Sequence, residues 1–242
     1  AIDCLEPTWF VGENVVGLRS HRAACEEACQ GPDLCPAAYL DHVIIPDLLA
    51  RYDRVSVVVL DAADYGVPQH RRRLIIFAGP TSVKPPPPTH GGPTEANQYR
   101  LFGPRLAPWV TVGEALSVEG RIIGGGRNDS LPHRSPRTFR DITDEPCTTI
   151  PAVRVGNAGP FITPELTRLT LAQLAQIQDF PEGHPFVGAQ ESKRRQIGNA
   201  VPPKLAQVIG AAVMESINEA SRATPNDYPR PPRGGIPRGA DR

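Results

Sequence analysis

The chain has 242 residues, 40% of them apolar, which is enough for one large or two modest domains around a real core. Lys+Arg and Asp+Glu balance at 26 each, so no global positive field gathers nucleic acid, and any DNA contact must come from local clusters. No apolar run approaches the ~18 residues of a membrane span, and Ala1, Ile2, Asp3 and Cys4 lack the layout of a secretory signal. The expectation is a cytoplasmic chain with no membrane partner, and Ala1 in place of Met suggests a piece of something longer.

Trp9 to Gly12 is a short apolar run that reads as a buried strand, with Glu13 and Asn14 at its exit. Tyr39 to Tyr52 carries Leu40, Val43, Ile44 and Leu48 at helical spacing and ends in basic Arg51, which predicts a helix. Arg54 to Leu60 is β-branched and continuous, the pattern of a strand covered on both faces. A second strand follows at Arg73 to Ala78. The connection Asp61 to Arg72 is too short for a crossover helix, so the two strands should be antiparallel neighbours joined by a structured loop.

Lys84 to Pro88 holds four prolines and reads as an extended linker. Residues 89–165 are rich in Gly, Pro and Arg with weak periodicity, apart from the apolar patch Trp109 to Leu116, and read as a small loop-rich module. Within it Arg121, Arg127, Arg134, Arg137 and Arg140 face a single acid, Asp129, and Arg71 to Arg73 form a second basic cluster. Charge alone leaves both open as solvated faces or phosphate contacts.

Regular structure should return at Thr170, which forms a T-x-x-Q capping box with Gln173 ahead of Leu171, Leu174 and Ile177, with Pro181 enforcing the stop. Leu205, Ile209, Ala212, Val213 and Ile217 predict a final helix from about Val201 to Ala220. Residues 222–242 lack periodicity and should be a disordered tail.

Five cysteines (4, 25, 29, 35 and 147) do not suggest a disulfide framework in a chain of this kind. Cys25, Cys29 and Cys35, with His21 and His42 nearby, lack a C-x-x-C knuckle, so no metal is expected and the thiols read as buried or half-buried.

Four stretches, in this order, resemble conserved blocks of the DNA cytosine-5 methyltransferase family. Phe10 to Leu18 resembles the E-N-V block, motif VI, and Tyr65 to Arg73 resembles motif VIII with its Q-x-R-x-R core at Gln69, Arg71 and Arg73. Arg168 to Pro181 resembles motif IX, with Gln173 where the family usually has Glu, and Gln196 to Pro203 resembles motif X. Thr111 to Leu116 and Asp144 to Ile150 resemble the segments that bracket the family's target-recognition region, leaving a short variable stretch at about 118–143.

The resemblance implies an α/β fold, the carboxyl-terminal part of a Rossmann-like sheet that uses S-adenosyl-L-methionine, plus a small loop-rich target-recognition module. It divides the chain into 1–83 of the catalytic domain, 84–165 as linker and recognition region, 166–221 as helices returning to the catalytic domain, and 222–242 as tail. It also implies that the enzyme flips a cytosine out of double-stranded DNA, adds a cysteine thiolate to C6 and methylates C5.

On this alignment Glu13 serves N3 and the exocyclic amine, while Arg73, with Arg71 on the same strand, approaches O2 and steadies the carboxylate. Asn199 and Val201 match the block against the cofactor pocket, and Gly198-Asn199 reads as a tight turn with Asn199 as a helix cap. Asn14, Gln69, Arg121, Arg127, Arg134, Arg137 and Arg140 are the expected DNA contacts. Arg72 alternates with its neighbours and should face elsewhere.

The Gly-rich cofactor loop and the Pro-Cys nucleophile block, which lie upstream of motif VI in the family, are not in the sequence. Pro146-Cys147 is followed by Thr148 where the nucleophile block has Gln, so Cys147 is not expected to be the nucleophile. The reading is therefore half an enzyme, completed by an amino-terminal methyltransferase half from the same gene or a separate subunit. A non-catalytic DNA-binding subunit or remnant is the alternative.

Overall fold

The computed structural model describes residues 2–20, 39–93, 105–117, 121–125, 139–152, 161–162 and 167–223. The chain divides into two compact units, one of Ala1–Val58, Leu74–Lys84 and Ala212–Arg242, the other of Val59–Arg73 and Pro85–Ala211. The segments expected at 84–165 and 166–221 thus both feed the second unit, apart from Lys84 and the last half of the final helix.

The first unit holds a short helix α1 (Ile2–Leu5) and the strands β1 (Phe10–Val15), β2 (Arg54–Asp61, up to Val58) and β3 (Arg72–Gly79, from Leu74), in the order β1-β3-β2. β3 is the buried centre, with Leu74, Ile75, Phe77 and Ala78 at most 1% exposed. Trp9 lies so close over Gly79 that a Cβ there would meet its ring at 2.4 Å, which is why this strand ends in glycine.

Two expectations for this sheet are corrected. β1 is not a buried strand: it runs on through Glu13 and Asn14 to Val15, and its last three residues are exposed. β2 has the β-branched run of a strand but not the expected cover on both faces, because Val55 to Val59 are only partly buried and Leu60 alone is fully so.

The predicted helix at 39–52 forms as a π-helical turn, Leu40–Ile44, leading into α2 (Ile45–Leu49). Pro46 explains the irregularity: it has no N–H to give the turn before it, and the Ile45 N–H reaches back to the Leu40 carbonyl instead.

In the second unit β2 leaves and β3 begins side by side, the Ala62 N–H bonding the Arg71 carbonyl at 3.2 Å, as an antiparallel pair requires. Between them lie a 3-10 turn, Ala62–Tyr65, and Gly66, whose φ of 81° closes the turn in the left-handed region. The rest of the unit includes a parallel pair, β4 (His90–Gly91) with β5 (Ala107–Pro108), and a four-stranded sheet. That sheet runs β7 (Phe139–Asp141), β6 (Ile122–Gly125), β8 (Phe161–Ile162), β9 (Thr167–Arg168).

Its helices are α3 (Val112–Leu116), α4 (Leu171–Ile177), α5 (Gln190–Asn199) and the first half of α6 (Pro203–Ala223). Val112, Ile122, Ile142, Cys147, Ile150, Leu174, Ile177 and Ile197 form one core. The Thr170–Gln173 capping box is present, with both reciprocal bonds. Helix α4 ends at Gln178 and Asp179, the latter at φ 66°, before Pro181 is reached, so the stop is made by the turn and not by the proline.

Candidate functional site

The second unit gathers the residues of the Q-x-R-x-R segment around the loop that precedes β3. Gln69 is fully buried; its Nε2 donates to Gln178 Oε1 at 2.6 Å and its Oε1 accepts from the Ile150 N–H at 3.3 Å. The loop is also laced to the strand-like segment at 147, the His70 N–H bonding the Cys147 carbonyl and the Cys147 N–H bonding the Pro68 carbonyl. With its amide engaged at both ends inside the protein, Gln69 presents nothing to a DNA surface in this conformation, although sequence reasoning placed it among the DNA contacts.

Arg71 is also fully buried, with Nη2 on the Gly198 carbonyl at 2.7 Å and Nη1 on the Ile150 carbonyl at 3.5 Å. Arg72 is exposed and Arg73 only 8% exposed, the alternation a strand dictates. Arg73 Nη1 donates to the Arg72 carbonyl at 2.9 Å. Of the basic triplet, then, one side chain is a buried strut, one meets solvent, and one stands nearly closed off at the start of β3.

In the first unit Glu13 is exposed on β1, and Asn14 Oδ1 accepts from the Val15 N–H at 2.8 Å. Asn14 thereby stiffens the strand beyond the carboxylate.

Asp61 organises the loop electrostatically. Its Oδ1 accepts the Arg71 and Ala63 N–H groups, and its Oδ2 meets His70 Nδ1 at 3.1 Å. Burial pushes the carboxyl up, but the His70 hydrogen bond and charge and the two backbone donors hold it below the ordinary carboxylate value. The same bond raises His70; burial opposes this, and the charges of Asp61, Asp64 and Glu145 reinforce it. His70 stands edge-on to Trp109 at 4.7 Å, and Trp109 Nε1 donates to Asp64 at 3.0 Å. A cavity of about 350 Å³ opens beside this group, lined by Asp61, Asp64, His70, Arg72, His90 and Trp109 among others.

Gly198 and Asn199 do not form the expected turn. They are the last residues of α5, Ala200 is the extended residue that leaves it, and the next helix begins only at Pro203, so Asn199 does not stand at its start. Gly198 is dictated by proximity: a Cβ there would meet the Ala152 Cα at 2.4 Å. Val201 is half-buried in the link to α6, which starts at Pro203.

Gln178 and Asp179 grip this link from both sides. Gln178 Nε2 donates to the Ile197 and Ala200 carbonyls at 3.0 and 2.9 Å, and Asp179 Oδ2 accepts the Lys204 N–H at 3.1 Å. Lys204 Nζ lies 2.9 Å from Asp179 Oδ1 and also donates to the Gly66 carbonyl at 3.2 Å. Asp61, Gln178 and Lys204 were missed by sequence reasoning, although Gln178 and Asp179 lie inside a quoted motif.

Cys147 is fully buried and its thiol is pushed up to about 12 by desolvation, against a hydrogen bond from Thr148 that acts the other way, so this environment disfavours the thiolate near neutrality. Among the expected DNA contacts, Arg121 is exposed and lies 3.4 Å from Asp141, and Arg140 is in β7. Arg127, Arg134 and Arg137 lie outside the described residues, as do Cys25, Cys29, Cys35, His21 and the tail from 224. Among the described residues no group of three His, Cys, Asp or Glu side chains could hold a metal, and no helix is long and apolar enough to cross a membrane.

The family model for C-5 cytosine-specific DNA methylase matches residues 1–86 and 119–215. The Type II methyltransferase M1.HphI of Haemophilus parahaemolyticus is 29% identical over 241 residues, spanning 87% of this chain and 57% of its own length. The Type II methyltransferase M.AplI of Arthrospira platensis is 30% identical over 199 residues, spanning 78% of this chain and 55% of its own. The chain thus spans little more than half the length of these curated relatives.

Two solved structures are similar at low identity. A putative DNA modification methyltransferase encoded within an E. coli prophage has a TM-score of 0.53 at 17% identity, over 90% of this chain and 72% of its own. The S. pombe Dnmt2 methyltransferase has 0.54 at 12%, over 88% and 66%.

Proposed function

The chain belongs to the C-5 cytosine-specific DNA methylase family, and on that premise we propose that it is the carboxyl-terminal half of a DNA cytosine-5 methyltransferase, competent only with an amino-terminal half. Its fold is the mixed α/β, partly Rossmann-like arrangement of the methyltransferases it resembles. The observation that carries the proposal is the family match itself, which runs through Glu13 and Arg73 in its first block and through Asn199 and Val201 in its second.

Two findings support an amino-terminal partner. The curated relatives are nearly twice as long as the portion matched here. In the first unit Leu5, Val15, Leu49 and Met214 are 77%, 54%, 52% and 55% exposed, apolar side chains that a further part of the protein would be able to cover.

The chemistry then rests on this chain's polar groups at the target base. Cytosine C5 becomes nucleophilic only after a thiolate adds to C6, which places negative charge on the ring. Glu13 holds a proton or hydrogen bond at N3, and the planar fork of Arg73 serves O2. Arg71 and Gln69 keep the start of β3 fixed, and Asn14, Arg121, Arg127, Arg134, Arg137 and Arg140 meet the DNA, chiefly its phosphates. The exposed Arg121–Asp141 pair is a weak one, so exchanging that carboxylate for a phosphate costs little.

S-adenosyl-L-methionine, when bound, supplies the methyl group. Exposed Asn199 and half-buried Val201 would line one wall of its site, and the described residues contain no Gly-rich strand-to-helix turn to cradle the rest.

The test is transfer of radiolabelled methyl groups to duplex DNA by this chain alone, by an amino-terminal half carrying a Pro-Cys-Gln block and a Gly-rich loop, and by the two together. Transfer is expected only from the mixture. Activity of the isolated chain would overturn the division of labour; a mixture that binds DNA without transfer would favour the non-catalytic alternative.

A further inference from the structure

The polar groups of the second unit form a hydrogen-bond chain whose direction is fixed at every link. The Ile150 N–H donates to Gln69 Oε1, Gln69 Nε2 donates to Gln178 Oε1, and Gln178 Nε2 donates to both the Ile197 and Ala200 carbonyls. Gln69 and Gln178 are both fully buried, so no water competes for these bonds. The Ile197 and Ala200 carbonyls belong to the end of α5, where a helix leaves acceptors without intrahelical donors. Gln178 therefore caps α5 from another helix. The adjacent Asp179 receives the first turn of α6 through Lys204, and Lys204 in turn reaches the Gly66 carbonyl.

We propose that Gln178 is a positioning residue that holds the loop leading to Arg73 and the link carrying Asn199 and Val201 in a single register. The idea rests on the reading above, in which the first segment serves the target base and the second the methyl donor; the hydrogen-bond coupling itself can be judged without it. An amide is required because position 178 must accept from one side and donate twice on the other. Glutamate keeps the acceptor but sets a carboxylate against two carbonyls. Protonated, it regains one donor.

The full chain is compared as wild type, Q178E, Q178A and L174A, the last a core truncation in the same helix that serves as a stability control. Thermal unfolding of Q178E should recover toward wild type as pH falls from about 8 to 5, since burial raises a glutamic acid above its ordinary ~4.3. The Q178A deficit should not change with pH. Hydrogen exchange should show faster exchange at Ile150 and at Ala200–Val201 together in Q178A, but not in L174A. A Q178E deficit that is flat with pH, or Q178A loosening confined to Ala200–Val201, overturns the coupling.

With the amino-terminal half present, Q178A should lower kcat by about 100-fold and raise KM for S-adenosyl-L-methionine below its melting temperature, as a misplacement of reacting groups by ~1 Å does. Kinetics like those of L174A would reduce Gln178 to a stabilising cap. Absence of transfer by the wild-type mixture would count against the proposed function alone, leaving the pH and exchange results to decide the coupling.

Discussion

Arg71 Nη2 donates to the Gly198 carbonyl at 2.7 Å, tying the segment before β3 to the last turn of α5 across 127 residues of sequence. Arg71→Ala would leave that carbonyl without its donor and open a cavity in a site with no solvent access, costing about 3 kcal/mol or more. Arg71→Lys, whose single ammonium cannot reproduce the fork that serves Ile150 and Gly198, should cost about 2 kcal/mol. Urea unfolding of the three proteins measures both; a loss under half a kcal/mol in the alanine variant would contradict the strut.

Gly198→Ala should be among the most damaging single-methyl additions at the described glycines. The new Cβ would meet the Ala152 Cα at 2.4 Å and its nitrogen at 2.6 Å, and both are backbone atoms that no rotamer change can move. Overpacking of this kind costs about 1–3 kcal/mol, and the upper end is expected here. Gly210→Ala, where nothing lies within 4 Å, is the neutral or mildly stabilising control.

Stability should depend on pH through His70 and Asp61. His70 is raised above its ordinary 6.5, so its contribution is complete below that value and is lost as pH rises through the raised one. Asp61 is lowered below 3.8, so its contribution is present above that value and is lost as pH falls through the lowered one. The pair therefore stabilises most between about pH 4 and 6.5. The melting-temperature difference between wild type and His70→Gln should be largest near pH 6 and shrink toward pH 8; a constant difference would mean the imidazole acts only by packing.

Cys147 should resist thiol reagents. In a variant where Cys25, Cys29 and Cys35 are serine, exposed Cys4 should react with a disulfide reagent within minutes while buried Cys147 reacts only after urea is added. In the proposed complemented enzyme Cys147→Ala should retain methyl transfer, whereas replacing the cysteine in the Pro-Cys-Gln block of the amino-terminal half should abolish it.

Glu13→Gln keeps the shape of the side chain but removes the proton it exchanges, and should lower kcat of the complemented enzyme by about 10²- to 10⁴-fold. Arg73→Lys should fall in the same direction because one ammonium replaces a two-pronged donor. DNA retention on a filter should change little in either.

Local chemistry was the legible part of the sequence. The Thr170–Gln173 box, the β-branched run of β2 and the Arg71-Arg72-Arg73 alternation all follow from neighbours in the chain. The Thr111–Glu114 box that starts α3 was equally available and went unread, because the surrounding Gly, Pro and Arg content masked it. Helix α5 left no periodic trace: Glu191, Lys193, Arg194 and Arg195 are polar, and only Ile197 and Gly198 are buried.

What composition could not supply was coverage and long-range pairing. A run of valines identifies a strand without saying what lies over it, and so the half-exposed faces of β1 and β2 were not foreseen. Gln69 meets Gln178 across 109 residues, a contact that no spacing rule encodes.

Val11, Val15, Val43, Leu49 and Met214 leave apolar side chains of the first unit in contact with solvent, and that has a practical consequence. Apolar side chains in water favour self-association as concentration rises, so the unfolding measurements above call for dilute protein. If the proposed amino-terminal half covers those side chains, producing the two parts together should raise the soluble yield of this one.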